Sequence, residues 1–158
     1  LNYPPAPQLL ARLSSGFSTL LQRCPRPVLA VPGVVSAFQQ TLLAYDGSPK
    51  ADEALFVATY LAGRWQIPLT VITVLESGRV TSQVLARAQA YLEKHGVYPA
   101  LVEAQGETAA AILRTARERQ CDLILMGSYG HSPLVEAMLG STVDRVLRES
   151  RTPILICR

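Results

Sequence analysis

The chain has 158 residues, 49% of them apolar and only 17% charged, which suits one ordinary domain with a sizeable core and argues against disorder. The net charge of +3 is carried by lysines and arginines scattered along the chain, so there is no clustered basic face of the kind that binds nucleic acid. No apolar run approaches the ~18 residues of a membrane span, and no charged stretch leads into an apolar one at the N-terminus, so neither an anchor nor a signal peptide is expected.

Three cysteines, Cys24, Cys121 and Cys157, form neither a CxxC nor an even set. The expectation is free thiols, Cys121 and Cys157 within apolar runs, in a reducing cytoplasm. The chain begins at Leu1 and not at a methionine, which points to a fragment or a processed product.

The first clean element is an apolar strand over Thr41–Tyr45, stopped by Asp46-Gly47 and Pro49. Ala54, Leu55, Ala58 and Leu61 then recur at helical spacing and predict a helix from Pro49 to Trp65. The continuous β-branched run Leu69–Leu75 predicts a buried strand. Val84, Leu85, Ala88 and Leu92 share one face of a second helix, with Gly96 where a C-cap belongs. "VYPALVEA" reads as a strand weakened at Pro99 and therefore near an edge. An alanine-rich helix over "GETAAAILRTARERQ" follows, then the buried strand "CDLILMG", the helix "STVDRVLRES" and the final strand "TPILICR". Strands that alternate with helices predict an α/β fold, a parallel sheet covered on both faces, over residues 39–158.

Residues 1–38 do not make one more clean repeat, yet they echo the end of the chain. Without a gap, Pro27-Val28-Leu29 falls on Pro153-Ile154-Leu155, Leu20-Leu21 on Val146-Leu147, and Ser15 on Ser141. Internal similarity of this kind reads as the last helix and strand of a preceding copy of the domain. A chance match between two amphipathic helix-strand pairs is the alternative. In this echo Ser14 replaces Gly140, and Leu1 and Pro4 stand where Gly127 and Gly130 would be, so no glycine loop survives there.

The stretch "GSYGHSPLVEAMLGST" carries the chemistry. Gly127 and Gly130 directly follow a buried strand, and Gly140-Ser141-Thr142 lead into a helix. A loop leaving a strand's carboxyl end for a helix N-terminus can gather backbone N–H groups around an anion. Glycine allows close approach and positive φ, and Ser141 and Thr142 add hydroxyl donors and cap the helix. Glycines after strands are also routine turn formers, so both readings stand on the residues alone. Neither a Walker A sequence nor a GxGxxG fingerprint is present.

The pattern Gly-x2-Gly-x9-Gly-[Ser/Thr], met by Gly127, Gly130, Gly140 and Ser141, resembles the ATP-binding motif of the universal stress protein family. The similarity extends from "LLAYDGS" through "VITVLE" and "CDLILMGSYG" to "TPILICR". The resemblance implies a Rossmann-like five-stranded parallel sheet of order 3-2-1-4-5, with helices on both faces, to which the echo adds the helix and strand of residues 1–38. It implies dimers built through the last strand, Ile154–Cys157, and tandem two-domain members. It places Ala44, Asp46 and Val74 beside ribose and adenine, Met126 just before the loop that holds the phosphates, and Gly127, Gly130, Gly140, Ser141 and Thr142 on that loop. If residues 1–38 are a remnant copy, Pro27–Val31 is expected to pair with Ile154–Cys157 within the chain.

The remaining polar residues divide between function and structure. Asp-Gly-Ser at Asp46 is also a common turn and helix cap. His131 either approaches a terminal phosphate or is a solvated loop residue. His95 suits a helix end. Glu53, Glu76 and Glu107 are more simply solvated charges than general bases, and no Ser-His-Asp or Cys-His arrangement is supported by spacing. The expectation is an ATP-binding regulatory protein, with Mg²⁺ admitted because it bridges phosphates while keeping its own waters. No catalytic residue and no protein metal site is assigned, so hydrolysis would be slow at most. A nucleotide-free dimerisation or adaptor module is one alternative, and a slow ATPase is the other.

Overall fold

The computed structural model describes residues 20–21, 24–33, 36–75, 82–128 and 141–158. Gly130, His131, Gly140, Glu76 and most of the N-terminal helix expected before Cys24 lie outside the described residues. Six strands are described: β1 (Val28–Ala30), β2 (Thr41–Ala44), β3 (Leu69–Leu75), β4 (Ala100–Gln105), β5 (Leu123–Gly127) and β6 (Ile154–Cys157). Four helices connect them: α1 (Pro49–Trp65), α2 (Ser82–Lys94), α3 (Thr108–Glu118) and α4 (Ser141–Glu149).

All strands share one sheet of order β1-β6-β5-β2-β3-β4. From β4 to β6 the five strands run parallel in the expected 3-2-1-4-5 order. The sheet departs from a five-stranded one by β1, which adds an antiparallel sixth strand beyond β6. β4 is the opposite edge and starts just after Pro99, where a missing N–H costs the ladder nothing.

Side chains alternate across the sheet with a period of two. Leu42, Ile72, Val74, Ile124, Met126, Ile154 and Ile156 face α3 and α4, where Ala109, Ile112, Ala116, Val143, Val146 and Leu147 meet them. Leu43, Tyr45, Val71, Leu123, Leu125 and Cys157 face α1 and α2, with Ala54, Leu55, Ala58, Leu85, Ala88 and Leu92. Small alanines on the helices let them lie close to the sheet. The central strands are therefore buried on both sides, which is why they read as continuous apolar runs.

Helix ends follow local chemistry. Ser48 caps α1 by accepting the Ala51 N–H at 3.2 Å, with Pro49 beginning the helix. Glu107, expected to be a solvated charge, instead caps α3, its carboxylate accepting the N–H groups of Ala109 at 3.1 Å and Ala110 at 2.7 Å. His95 sits at the end of α2, its Nδ1 2.8 Å from the Tyr91 carbonyl.

The N-terminal segment is bound to the domain by the edge pairing predicted from the echo. Val28 lies opposite Ile156, Leu29 opposite Leu155 and Ala30 opposite Ile154. Because the echo lays Val28 on Ile154 and Leu29 on Leu155, the ladder is symmetric about the Leu29–Leu155 pair. Two copies of one strand related by a two-fold axis would pair in the same way. Leu21, 3% exposed, joins the core beneath α4, as its counterpart Leu147 does.

Between β1 and β2 the chain is tied to the start of β5. Asp122 accepts the N–H groups of Gln39 at 2.9 Å and Gln40 at 2.8 Å, and its carbonyl accepts the Ser36 hydroxyl at 2.6 Å. Burial raises the Asp122 carboxyl, but the backbone N–H donors outweigh it and hold the group below its ordinary value. The folded value lies below the unfolded one, so this stabilisation is complete above about pH 4 and fades as pH falls through the folded value. Asp122→Asn is expected to lose about 1–2 kcal/mol at pH 7 and to flatten the acid limb of the stability curve. Urea unfolding between pH 3 and pH 7 measures both.

Candidate functional site

Chain connectivity reverses direction at the centre of the sheet. β2 continues through α1 to β3 on one side, while β5 lies on its other side. A crevice outside the carboxyl ends of these strands is where a doubly wound sheet takes a ligand. Ala44, half-buried at the end of β2, stands in register with Ile72 and Met126. Val74 lies further toward the carboxyl end of β3, 7% exposed. The structure thus brings Ala44, Asp46, Val74, Met126 and Gly127 to one end of three adjacent strands, and α4 begins after β5 with Ser141 exposed and Thr142 half-buried.

Asp46 performs the structural role foreseen for an Asp-Gly-Ser turn. Its Oδ1 accepts the Ser48 N–H at 2.9 Å. Gly47 has φ +77, and a Cβ there would stand 3.1 Å from Val84 Cγ1 on α2. Both the backbone and the packing hold this position to glycine.

Gly127 is a glycine for a reason that the loop spacing did not disclose. Its φ is not positive, but a Cβ would meet the Lys50 carbonyl carbon at 2.6 Å and the Ala51 nitrogen at 2.8 Å. The first turn of α1 occupies the space a side chain would need. Close approach is the right principle, and the partner that approaches is the helix backbone.

Ser128 went unremarked in the sequence, although a hydroxyl directly after a buried strand was its signal. It is 2% exposed and its N–H donates to the Cys157 carbonyl at 2.8 Å, which anchors the start of the loop to β6. Among the described residues its Oγ has no hydrogen-bond partner. Two other buried hydroxyls share that condition, Thr41 and Thr70, and both lie at the amino ends of their strands. An unmet buried hydroxyl costs about 1–3 kcal/mol, and Ser128 carries one directly after the carboxyl end of β5.

The cations of α4 are engaged with neighbours. Arg145 reaches Glu107 at 2.8 Å and Glu149 at 2.7 Å, and Arg148 reaches Asp144 at 2.7 Å. The Ala110 N–H foremost, with Ala109 and Arg145, holds Glu107 below its ordinary value, which suits a cap and not a base. Glu53 pairs with Lys50 at 2.9 Å. Burial pushes the Cys121 thiol up to about 11 and the Cys157 thiol up to about 12, so neither is a nucleophile at neutral pH. Among the described residues no group of three His, Cys, Asp or Glu side chains could hold a metal ion.

Gly127→Val is expected to remove about 3 kcal/mol or more of stability, at the upper end for overpacking because backbone must move. A melting curve superposable on that of the parent protein would contradict the close approach of α1.

Residues 37–158 match the sequence signature described as the universal stress protein family. A universal stress protein of Synechocystis sp. is 30% identical over 151 residues, a match that covers 92% of this chain and 52% of the relative. Among solved structures, a universal stress protein from Archaeoglobus fulgidus is similar with a TM-score of 0.79 and 28% identity, covering 97% of this chain and 57% of that one. The chain therefore spans little more than half the length of these two relatives. A universal stress protein solved in complex with cAMP is similar with a TM-score of 0.66 and 26% identity, covering 78% of this chain and 98% of its own.

Proposed function

The chain belongs to the universal stress protein family, and from that premise we propose that it is a regulatory protein that binds ATP across the carboxyl ends of β2 and β5. The observation that carries this reading is the reversal of strand order at the carboxyl ends of β2 and β5, where Ser128, whose buried hydroxyl has no hydrogen-bond partner among the described residues, begins the loop. The glycine spacing through Gly140 and the relative solved with cAMP support it. Ala44, Asp46 and Val74 would meet the nucleoside half. Met126, Gly127, Gly130, Gly140, Ser141 and Thr142 would border the phosphates, with the first N–H groups of α4 as donors. His131 is assigned to the outer phosphate, and Mg²⁺ would enter with the nucleotide as its counter-ion.

Binding is the proposed output, with hydrolysis slow at most. Among the described residues the arginines of α4 are paired and Glu107 is a cap, so neither an arginine finger nor a general base is assigned to them. The three free cysteines suit a reducing cytoplasm, and no described helix is long and apolar enough to cross a membrane.

A titration of the purified chain with ATP and Mg²⁺ tests the reading. Saturable binding is expected, lost in Gly130→Val and Gly140→Val while their melting temperatures stay near that of the parent. No binding by the parent would favour an adaptor module in which the glycines shape a loop. Gly127 is unsuited to this test, because replacing it disturbs α1.

The second part of the proposal concerns partners. Residues 1–38 act as the last helix and strand of a preceding copy, and β1 takes the place that β6 of a second copy would occupy. The support is the symmetry of the ladder about Leu29 and Leu155. Val28→Pro with Leu29→Pro is expected to release the edge of β6 and convert a monomer into a homodimer paired through Ile154–Cys157. Light scattering that finds the variant still monomeric would contradict this assignment.

A further inference from the structure

A second hydrogen-bonded cluster lies behind the Asp46 turn, and nothing in the glycine pattern points to it. Arg87, on α2, donates through Nε to the Tyr45 hydroxyl at 2.9 Å. Its Nη2 donates to Asp52 Oδ1 at 2.5 Å and to the Gly47 carbonyl at 3.3 Å. The Tyr45 hydroxyl in turn donates to the same Asp52 oxygen at 2.6 Å. Burial first, and Asp52 beside it, hold the Tyr45 hydroxyl in its protonated, donating form. One guanidinium thus joins the end of β2, the turn after it, α1 and α2.

The contact with Gly47 matters most. The Gly47 carbonyl and the Ser48 N–H belong to one peptide plane. That plane is gripped at both ends, by Arg87 on its oxygen and by Asp46 Oδ1 on its nitrogen. Gly47 at φ +77 gives the plane the orientation that lets both bonds form. A rotation of this peptide would move the Asp46 carboxylate with it. The Arg87 and Asp52 side chains are 54% and 34% exposed, so their ion pair adds little stability of its own. Its consequence is geometric.

We propose that Arg87 is a positioning residue for the nucleotide site: it fixes the Asp46 carboxylate through the Gly47–Ser48 peptide and so sets affinity for the nucleoside half of the ligand. The inference rests on the ATP reading above, in which Asp46 meets ribose and adenine. Arg87 itself touches no ligand in this account.

Arg87→Ala is expected to melt close to the parent temperature yet bind ATP and AMP about tenfold more weakly, by the same factor for each, a size usual for coupled groups in one hydrogen-bond network. In an Asp46→Ala background the same substitution should change affinity less than about twofold, because the carboxylate it positions is gone. Amide exchange at Ser48, followed by NMR without nucleotide, should accelerate in Arg87→Ala. Parental affinity in Arg87→Ala, or an equal loss with and without Asp46, would overturn the inference while leaving the ATP reading in place. Unchanged Ser48 exchange would overturn it as well. A parent protein that binds neither nucleotide, with Ser48 exchange still accelerated in the variant, would overturn the ATP reading and the affinity claim, and leave Arg87 as a brace for the turn alone.

Discussion

The first turn of α1 lies so close to Gly127 that no side chain fits between them. Much of the carboxyl end of the sheet depends on that contact. It brings the N-terminus of α1 over the end of β5, and Ser48 must cap the helix at that place. The turn from β2 into α1 is consequently short and needs Gly47 at positive φ, with Asp46 closing it through the Ser48 N–H. β2 and β5, neighbours in register from Thr41–Leu123 to Ala44–Met126, then end together. The arrangement at the strand-order reversal, where a doubly wound sheet takes a ligand, results from packing before any ligand is considered.

The other end of the same logic is the sheet edge. A parallel sheet assembled from helix-linked strands ends in exposed ladder groups at β6, and an open edge invites another strand. β1 covers it, antiparallel and in a register symmetric about Leu29 and Leu155. Leu29 and Val31 nevertheless remain 43% and 57% exposed, so the outer side of this cover is itself apolar. The carboxyl end of β5 and the edge are physically linked, because the Ser128 N–H donates to the carbonyl of Cys157, the last residue of β6.

Most of the elements were legible because their apolar patterns match the burial they experience. The continuous runs at Leu69–Leu75 and Leu123–Met126 are strands buried on both faces, and Pro99 marked the edge strand correctly. The echo of residues 20–29 in residues 146–155 foretold the β1–β6 contact, but not its antiparallel register, since an overlay of sequences carries no direction of pairing. Contacts between distant residues were illegible. The need for glycine at position 127 comes from Lys50 and Ala51, and the Tyr45–Asp52–Arg87 cluster joins residues that are 7 to 42 positions apart. Glu107 looked like a solvated charge because a glutamate is an uncommon cap, and only the geometry of Ala109 and Ala110 identifies it.

The most direct test of the central claim is an amide NMR titration of the intact chain with ATP and Mg²⁺. The account predicts shift changes concentrated in Ala44–Ser48, Val74, Met126–Ser128 and Ser141–Thr142, with β4 and β1 nearly unmoved. Saturable changes confined to another surface, or none at millimolar nucleotide, would contradict the assignment of this crevice as a nucleotide site.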